Sequence, residues 1–126
     1  MILDTTAVID LLKNRKDIKE KLKELEGKNV VFTTTTITNF EMWAGPMDLK
    51  EEQELNEFFK TIRIYPLTEK DAEIAGKVHK VLRKEGQEIG SEDCMIAGIA
   101  IAKQEPVLTR NKKHFERIPE LVVYSY

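Results

Sequence analysis

Four polar residues far apart in the chain, Asp4, Glu41, Asp93 and Asn111, each fall where an alternating strand–helix fold would bring a side chain to one edge of its sheet. Asp4 ends the apolar opening Met1-Ile2-Leu3. Glu41 lies inside the helix expected after the β-branched stretch Val30–Thr35, Asp93 opens the apolar run Cys94–Ala102, and Asn111 follows the short strand Val107-Leu108. Carboxylates gathered at the C-terminal ends of parallel strands suit Mg²⁺ or Mn²⁺ and phosphate chemistry. Such an ion needs one or two carboxylates, keeps several waters, can acidify one of them for attack on phosphorus, and neutralises charge on the phosphate oxygens. On this pattern Asp4, Glu41 and Asp93 are candidate metal ligands. Asn111 is a fourth candidate catalytic position, which offers a carbonyl oxygen but no charge.

Each residue also has a plainer use. Asp4 is a favoured N-cap for a helix starting at Thr5, and capping is compatible with metal binding. Thr6 is near enough to orient Asp4 through its hydroxyl. Glu41 falls among the bulky apolar Phe40, Met42 and Trp43, where a carboxylate needs either solvent or a partner. Asp93 stands in the first turn of an otherwise apolar helix, where the dipole favours an anion, and Glu92 beside it competes for the same role. His79 reads as structural or exposed. His114 reads first as a packing or surface histidine and second as a substrate contact. Asp10, six residues beyond Asp4 on the same helix, is expected to face away from the pocket, on the surface or against a partner.

The elements that must position these groups alternate along the chain. Met1–Leu3 reads as a strand, and Thr5–Lys13 and Lys16–Leu25 as helices, the second stopped by Gly27. Val30–Thr35 is β-branched and reads as strand. Thr36 is expected to cap a helix running to Trp43, ahead of Gly45-Pro46, and Leu49–Ile62 follows as an amphipathic helix with Leu49, Leu55, Phe58, Phe59 and Ile62 on its apolar stripe. After a strand at Arg63–Leu67, Thr68 caps a long helix whose Ala72, Ala75, Val78, Val81 and Leu82 recur at helical spacing before Gly86. Cys94–Ala102 predicts a helix covered on most sides, and Pro106–Thr109 and Leu121–Tyr124 are the last strands. The alternation predicts an α/β fold, one domain over residues 1–126, with a mostly parallel central sheet flanked by helices on both faces.

Composition narrows the partners. The 126 residues are 41% hydrophobic, enough for one normal core. No stretch approaches the roughly 18 to 20 apolar residues that span a bilayer, and the opening residues lack a secretory leader, which predicts a cytoplasmic protein with no membrane partner. The single cysteine, Cys94, forms no internal disulfide and reads as a small buried residue. A net charge of −2, from 20 Lys and Arg against 22 Asp and Glu, excludes holding nucleic acid by bulk charge. Either any RNA contact is local, through residues such as Arg110, Lys112 and Lys113 and through metal-held phosphate, or the partner is not nucleic acid; the lysines read equally as a solvated face.

Four blocks occur in order. Ile2-Leu3-Asp4-Thr5-Thr6-Ala7-Val8-Ile9-Asp10-Leu11-Leu12 comes first, then Thr38-Asn39-Phe40-Glu41 with Gly45. Gly90-Ser91-Glu92-Asp93-Cys94-Met95-Ile96-Ala97 and Leu108-Thr109-Arg110-Asn111-Lys112-Lys113-His114-Phe115 complete the set. Together they resemble the motif blocks of the PIN-domain family, and within it the short VapC-type toxins. The resemblance implies a metal-dependent endoribonuclease that cleaves RNA phosphodiesters with metal-activated water, as the toxin of a type II toxin–antitoxin pair. It further implies a cognate antitoxin protein, a homodimer, and Asp4, Glu41 and Asp93 as ligands of Mg²⁺ or Mn²⁺. It favours Asp93 over Glu92 and gives Thr6 a supporting role.

Asn111 departs from the fully acidic quartet of many PIN domains, which bears on tight binding of two metals at once, not of one. An apolar antitoxin segment is expected between the helices near Thr36–Ala44 and Leu49–Ile62, along Phe40, Trp43 and Phe59, with core packing as the alternative use of these aromatics. The main rival is a PIN-like module that binds RNA or protein without turnover. It is favoured by the neutral Asn111 and overall acidity, and disfavoured by the three acids. A receiver domain would need an acidic pair before the first helix, and a haloacid-dehalogenase-type phosphotransferase an Asp at the position of Thr6.

Overall fold

The computed structural model describes all 126 residues. In chain order the elements are β1 (Ile2–Leu3), α1 (Thr5–Leu12), α2 (Lys16–Glu26), β2 (Thr33–Thr35), α3 (Thr36–Ala44), α4 (Leu49–Thr61), β3 (Arg63–Tyr65), α5 (Glu69–Lys84), α6 (Ser91–Lys103), β4 (Val107–Leu108), α7 (Lys112–Phe115) and β5 (Val123–Tyr124). The five strands form one sheet in the order β3-β2-β1-β4-β5, and every pairing is parallel. β1 is central: the chain adds β2 and β3 on one side, then crosses to add β4 and β5 on the other. The crevice beyond the C-terminal ends of β1 and β4 is therefore the topological switch point, where open α/β sheets bind ligands.

Alternation along the strands divides the core in two. Ile2 and Val107 point into one layer with Ile96, Ile99 and Phe115. Leu3 and Leu108 point into the other with Ala7, Val8 and Ile18. Gly98 lets α6 lie against α5, because a Cβ there would stand 2.5 Å from the Asp71 carbonyl oxygen. Local signals set the helix ends. Asp48 with Glu51 and Thr68 with Asp71 form capping boxes at α4 and α5, and Gly86, at φ +68°, ends α5 in the left-handed conformation that glycine adopts without strain.

Several boundaries differ from the expectation. The cap of α3 is Thr35, whose hydroxyl accepts from the Thr38 N–H, and Thr36 is the first helical residue. Regular strand begins only at Thr33; propensity extends through Val30, but Val31 is exposed and its carbonyl accepts only from the Met1 ammonium group. Leu49, expected on the buried stripe of α4, is 72% exposed because it opens the helix and projects past the layer that buries Leu55. Val81 is likewise exposed on α5. The single turn α7 was not expected. Cys94 is buried as expected, and burial pushes its thiol up to about 11. No helix is long and apolar enough to cross a membrane.

Candidate active site

Asp4 occupies the residue just past β1, and its side chain is used fully. Oδ1 accepts from the Ala7 N–H at 2.9 Å, which caps α1, and from the Thr6 hydroxyl at 2.7 Å; Oδ2 accepts from the Thr109 hydroxyl at 2.6 Å. Thr109 follows β4, so this last bond spans the switch point. Asp4 is 1% exposed and has no cationic partner. Three donors favour the carboxylate, yet burial outweighs them, and with the charge of Asp93 it raises the pKa to about 6.

Glu41 reaches the same region from α3. The Thr5 hydroxyl donates to its Oε1 at 2.7 Å and lies 3.1 Å from the Thr38 hydroxyl. Partial burial raises the Glu41 pKa against the Thr5 bond, and the charges of Asp93 and Glu92 push the same way. Asp93, in the first turn of α6, stands 3.3 Å through Oδ2 from His114 Nδ1. Burial again dominates: Asp93 is raised although His114 lowers it, and Glu92 raises it further. Glu92 itself accepts from the exposed Ser91 hydroxyl.

Asp93 is thus within electrostatic reach of both Asp4 and Glu41, and each of the three acids is held by its own hydrogen bonds. They do not close into a cage, since no group of three His, Cys, Asp or Glu side chains is drawn tightly enough to hold an ion by itself. That donor set suits a largely hydrated Mg²⁺ or Mn²⁺, which takes one or two carboxylates directly and keeps its waters. Asn111 is joined to the group through its backbone: its N–H donates to Thr109 Oγ1 at 2.9 Å, and its side chain forms no cap on α7.

Two expectations are corrected. Asp10, expected to face away from the pocket on the surface or against a partner, is neither on the surface nor free for a partner, and it lies beside the Thr6 end of the site. It is 1% exposed, bound by Arg110 at 2.9 Å and by the Tyr126 hydroxyl at 2.7 Å. Asp10 lies one helical turn beyond Thr6 on the same face of α1; the turn after β4 and the segment after β5 cover that face. The expected apolar groove is also different. A cleft of about 300 Å³ runs between α1, α3 and α4, but Ile9, Leu12, Met42, Met47 and Leu55 line it with Glu41 at one end. Phe40 and Trp43, 65% and 44% exposed, project outside it, and Phe59 does not line it either.

Sequence reasoning passed over Thr5 and Thr109, and read His114 as a packing or surface residue or a substrate contact rather than as the partner of Asp93. Their signal was position, since each lies beside an acidic candidate or within one of the four motif blocks.

A family model described as PIN domain matches residues 1–121. The chain belongs to the PIN-domain family. As a PIN domain it is 35% identical over 126 residues to ribonuclease VapC1 of Methanocaldococcus jannaschii, covering 100% of this chain and 86% of that one. It is 29% identical to ribonuclease VapC19 of Mycobacterium tuberculosis, covering 95% of each. Among solved structures, VapBC2 from Rickettsia felis bound to a DNA fragment from their promoter superposes with a TM-score of 0.84 at 25% identity, over 99% of this chain and 97% of that one. DNA-bound VapBC from Salmonella typhimurium gives 0.82 at 26% identity, over 98% and 96%. This PIN domain shares their single-domain α/β architecture throughout.

Proposed function

We propose that this PIN domain is a metal-dependent endoribonuclease that hydrolyses RNA phosphodiesters, the toxin of a type II toxin–antitoxin pair acting in the cytoplasm. The observation that carries the reading is Asp4: a buried carboxylate, raised in pKa, with no cation of its own, at the crevice between β1 and β4 and within electrostatic reach of Asp93. Structural carboxylates buried to this degree are normally paired. Asp10, on the next turns of the same helix, is.

Asp4 and Asp93, with Glu41, would hold Mg²⁺ or Mn²⁺. When bound, the ion supplies an acidified water and positive charge for the phosphate oxygens. Thr6 and Thr109 fix the orientation of Asp4, Thr5 that of Glu41, and His114 that of Asp93. Asn111 offers a carbonyl oxygen at the edge of this group, able to accept a hydrogen bond from a coordinated water but not to add charge.

The relatives named ribonuclease VapC support the reaction class, and the VapBC complexes support a cognate antitoxin. The antitoxin's apolar segment fits the cleft between α1, α3 and α4, with Phe40 and Trp43 exposed on the flank. Homodimerisation is the remaining part of the reading. Expression in a host lacking the antitoxin tests it: the wild-type chain is expected to arrest growth, and Asp93→Asn to be tolerated. Equal toxicity of the two would contradict the assignment.

A further inference from the structure

Arg110 and Asp10 form an ion pair that the carboxylate chemistry does not require. Arg110 Nη1 donates to Asp10 Oδ1 at 2.9 Å, the Tyr126 hydroxyl donates to Asp10 Oδ2 at 2.7 Å, and Arg15 Nε stands 3.9 Å from Oδ1. The two partners are unequal: the Asp10 side chain is 2% exposed and the Arg110 side chain 45%. An ion pair with one partner half in solvent stabilises a fold little, because water screens the attraction while the buried carboxylate still loses its hydration. What this one does is hold one nitrogen of a guanidinium and leave its other N–H groups without a protein partner.

The backbone of Arg110 is fixed as well. Its N–H donates to the Thr6 hydroxyl at 3.0 Å, and that hydroxyl donates to Asp4 at 2.7 Å. One hydroxyl therefore separates the Arg110 backbone from the most buried acid of the site, and Thr109, the preceding residue, contacts the same acid directly. With a net charge of −2, the chain cannot grip a polyanion by its overall field, so a few placed cations must do it. Lys112 and Lys113 are exposed and unpaired; among the basic residues of this segment, Arg110 alone is held by a buried acid.

We propose that Arg110 contacts a backbone phosphate of the bound RNA at the rim of the site, and that Asp10, fixed by Tyr126, is the positioning residue that aims it. The proposal rests on the ribonuclease reading and names how that site holds its substrate. A planar guanidinium matches the oxygens of a phosphate and keeps its charge at every working pH.

Binding against salt tests it. A short fluorescein-labelled single-stranded RNA is titrated by anisotropy over a KCl series, once in Mg²⁺ before cleavage proceeds and once in EDTA. Arg110→Gln is expected to bind about tenfold more weakly and to flatten the slope of log affinity against log salt by about 0.7, the value for one phosphate contact on a single strand. Asp10→Asn removes a negative charge, so general electrostatics alone gives tighter binding; the proposal requires weaker binding and a shallower slope. The double variant Asp10→Asn/Arg110→Gln leaves the net charge unchanged and no unpaired buried acid, and is expected to match Arg110→Gln. Tyr126→Phe keeps every charge and is expected to lose a smaller part of the same affinity, which carries the test if Asp10→Asn does not fold. Tighter binding by Asp10→Asn, or variants that lose thermal stability with an unchanged slope, overturn the proposal and leave the ribonuclease reading intact. RNA that binds the wild-type chain in neither condition overturns both.

Discussion

The Thr109 hydroxyl donates to Asp4 Oδ2 at 2.6 Å across 105 positions of sequence, joining the ends of the two strands that flank the switch point. Asp4 accepts two further bonds, yet its pKa rises to about 6, so desolvation decides its energetics.

Asp4→Asn is therefore expected to stabilise the metal-free protein at neutral pH. The folded pKa lies above the ordinary 3.8, so the protonated side chain favours the fold below about pH 4, and that contribution is lost as pH rises through about 6. The displacement corresponds to about 3 kcal/mol at most. Thermal melts in EDTA should show Asp4→Asn above wild type near pH 7.5 and little different near pH 4. A variant less stable than wild type at both would mean that the three hydrogen bonds outweigh burial.

His114→Ala is expected to raise the pKa of Asp93 further, since His114 is the group that lowers it. The ionised carboxylate is the form that binds a cation, so the pH at which Mn²⁺ affinity reaches half its maximum should move upward, with affinity well above that pH nearly retained. Calorimetric titration over a pH series measures the shift, and an unmoved midpoint would separate His114 from Asp93.

Asn111→Asp tests the fourth position. Adding a charge at the edge of a partly hydrated site should tighten Mn²⁺ binding by about 1 kcal/mol. Activity need not rise in step, because the same charge opposes the incoming phosphate. Unchanged Mn²⁺ affinity and stoichiometry would mean that the Asn111 side chain points elsewhere.

The acids stood out as candidates because a charged residue bordering or inside an apolar stretch has few uses, and parallel topology brings strand ends and the helices that follow them to one edge. Strand order was not legible, since strands of two or three residues carry no periodicity and adjacency depends on tertiary pairing. The same limit hid α7, a single turn, and stretched β2 back through Val30, where propensity continues but the regular strand does not. Asp10 shows a different limit: helical spacing says which way a side chain turns, not what covers it. Arg110 and Tyr126, 100 and 116 positions away, cover it. Thr5 and Thr109 went unnoticed because hydroxyls are common and only the fold supplies their acidic partners. Phe40 and Trp43 read equally well as groove or core; the fold leaves both exposed.

The most direct test of the central claim is cleavage of a labelled single-stranded RNA by purified protein, with Mg²⁺ or Mn²⁺, after exhaustive EDTA treatment, and after metal is restored. The account predicts cleavage only when metal is present, recovery on its return, and losses of orders of magnitude in Asp4→Asn and Asp93→Asn. Cleavage that survives EDTA, or full activity in either variant, would contradict it.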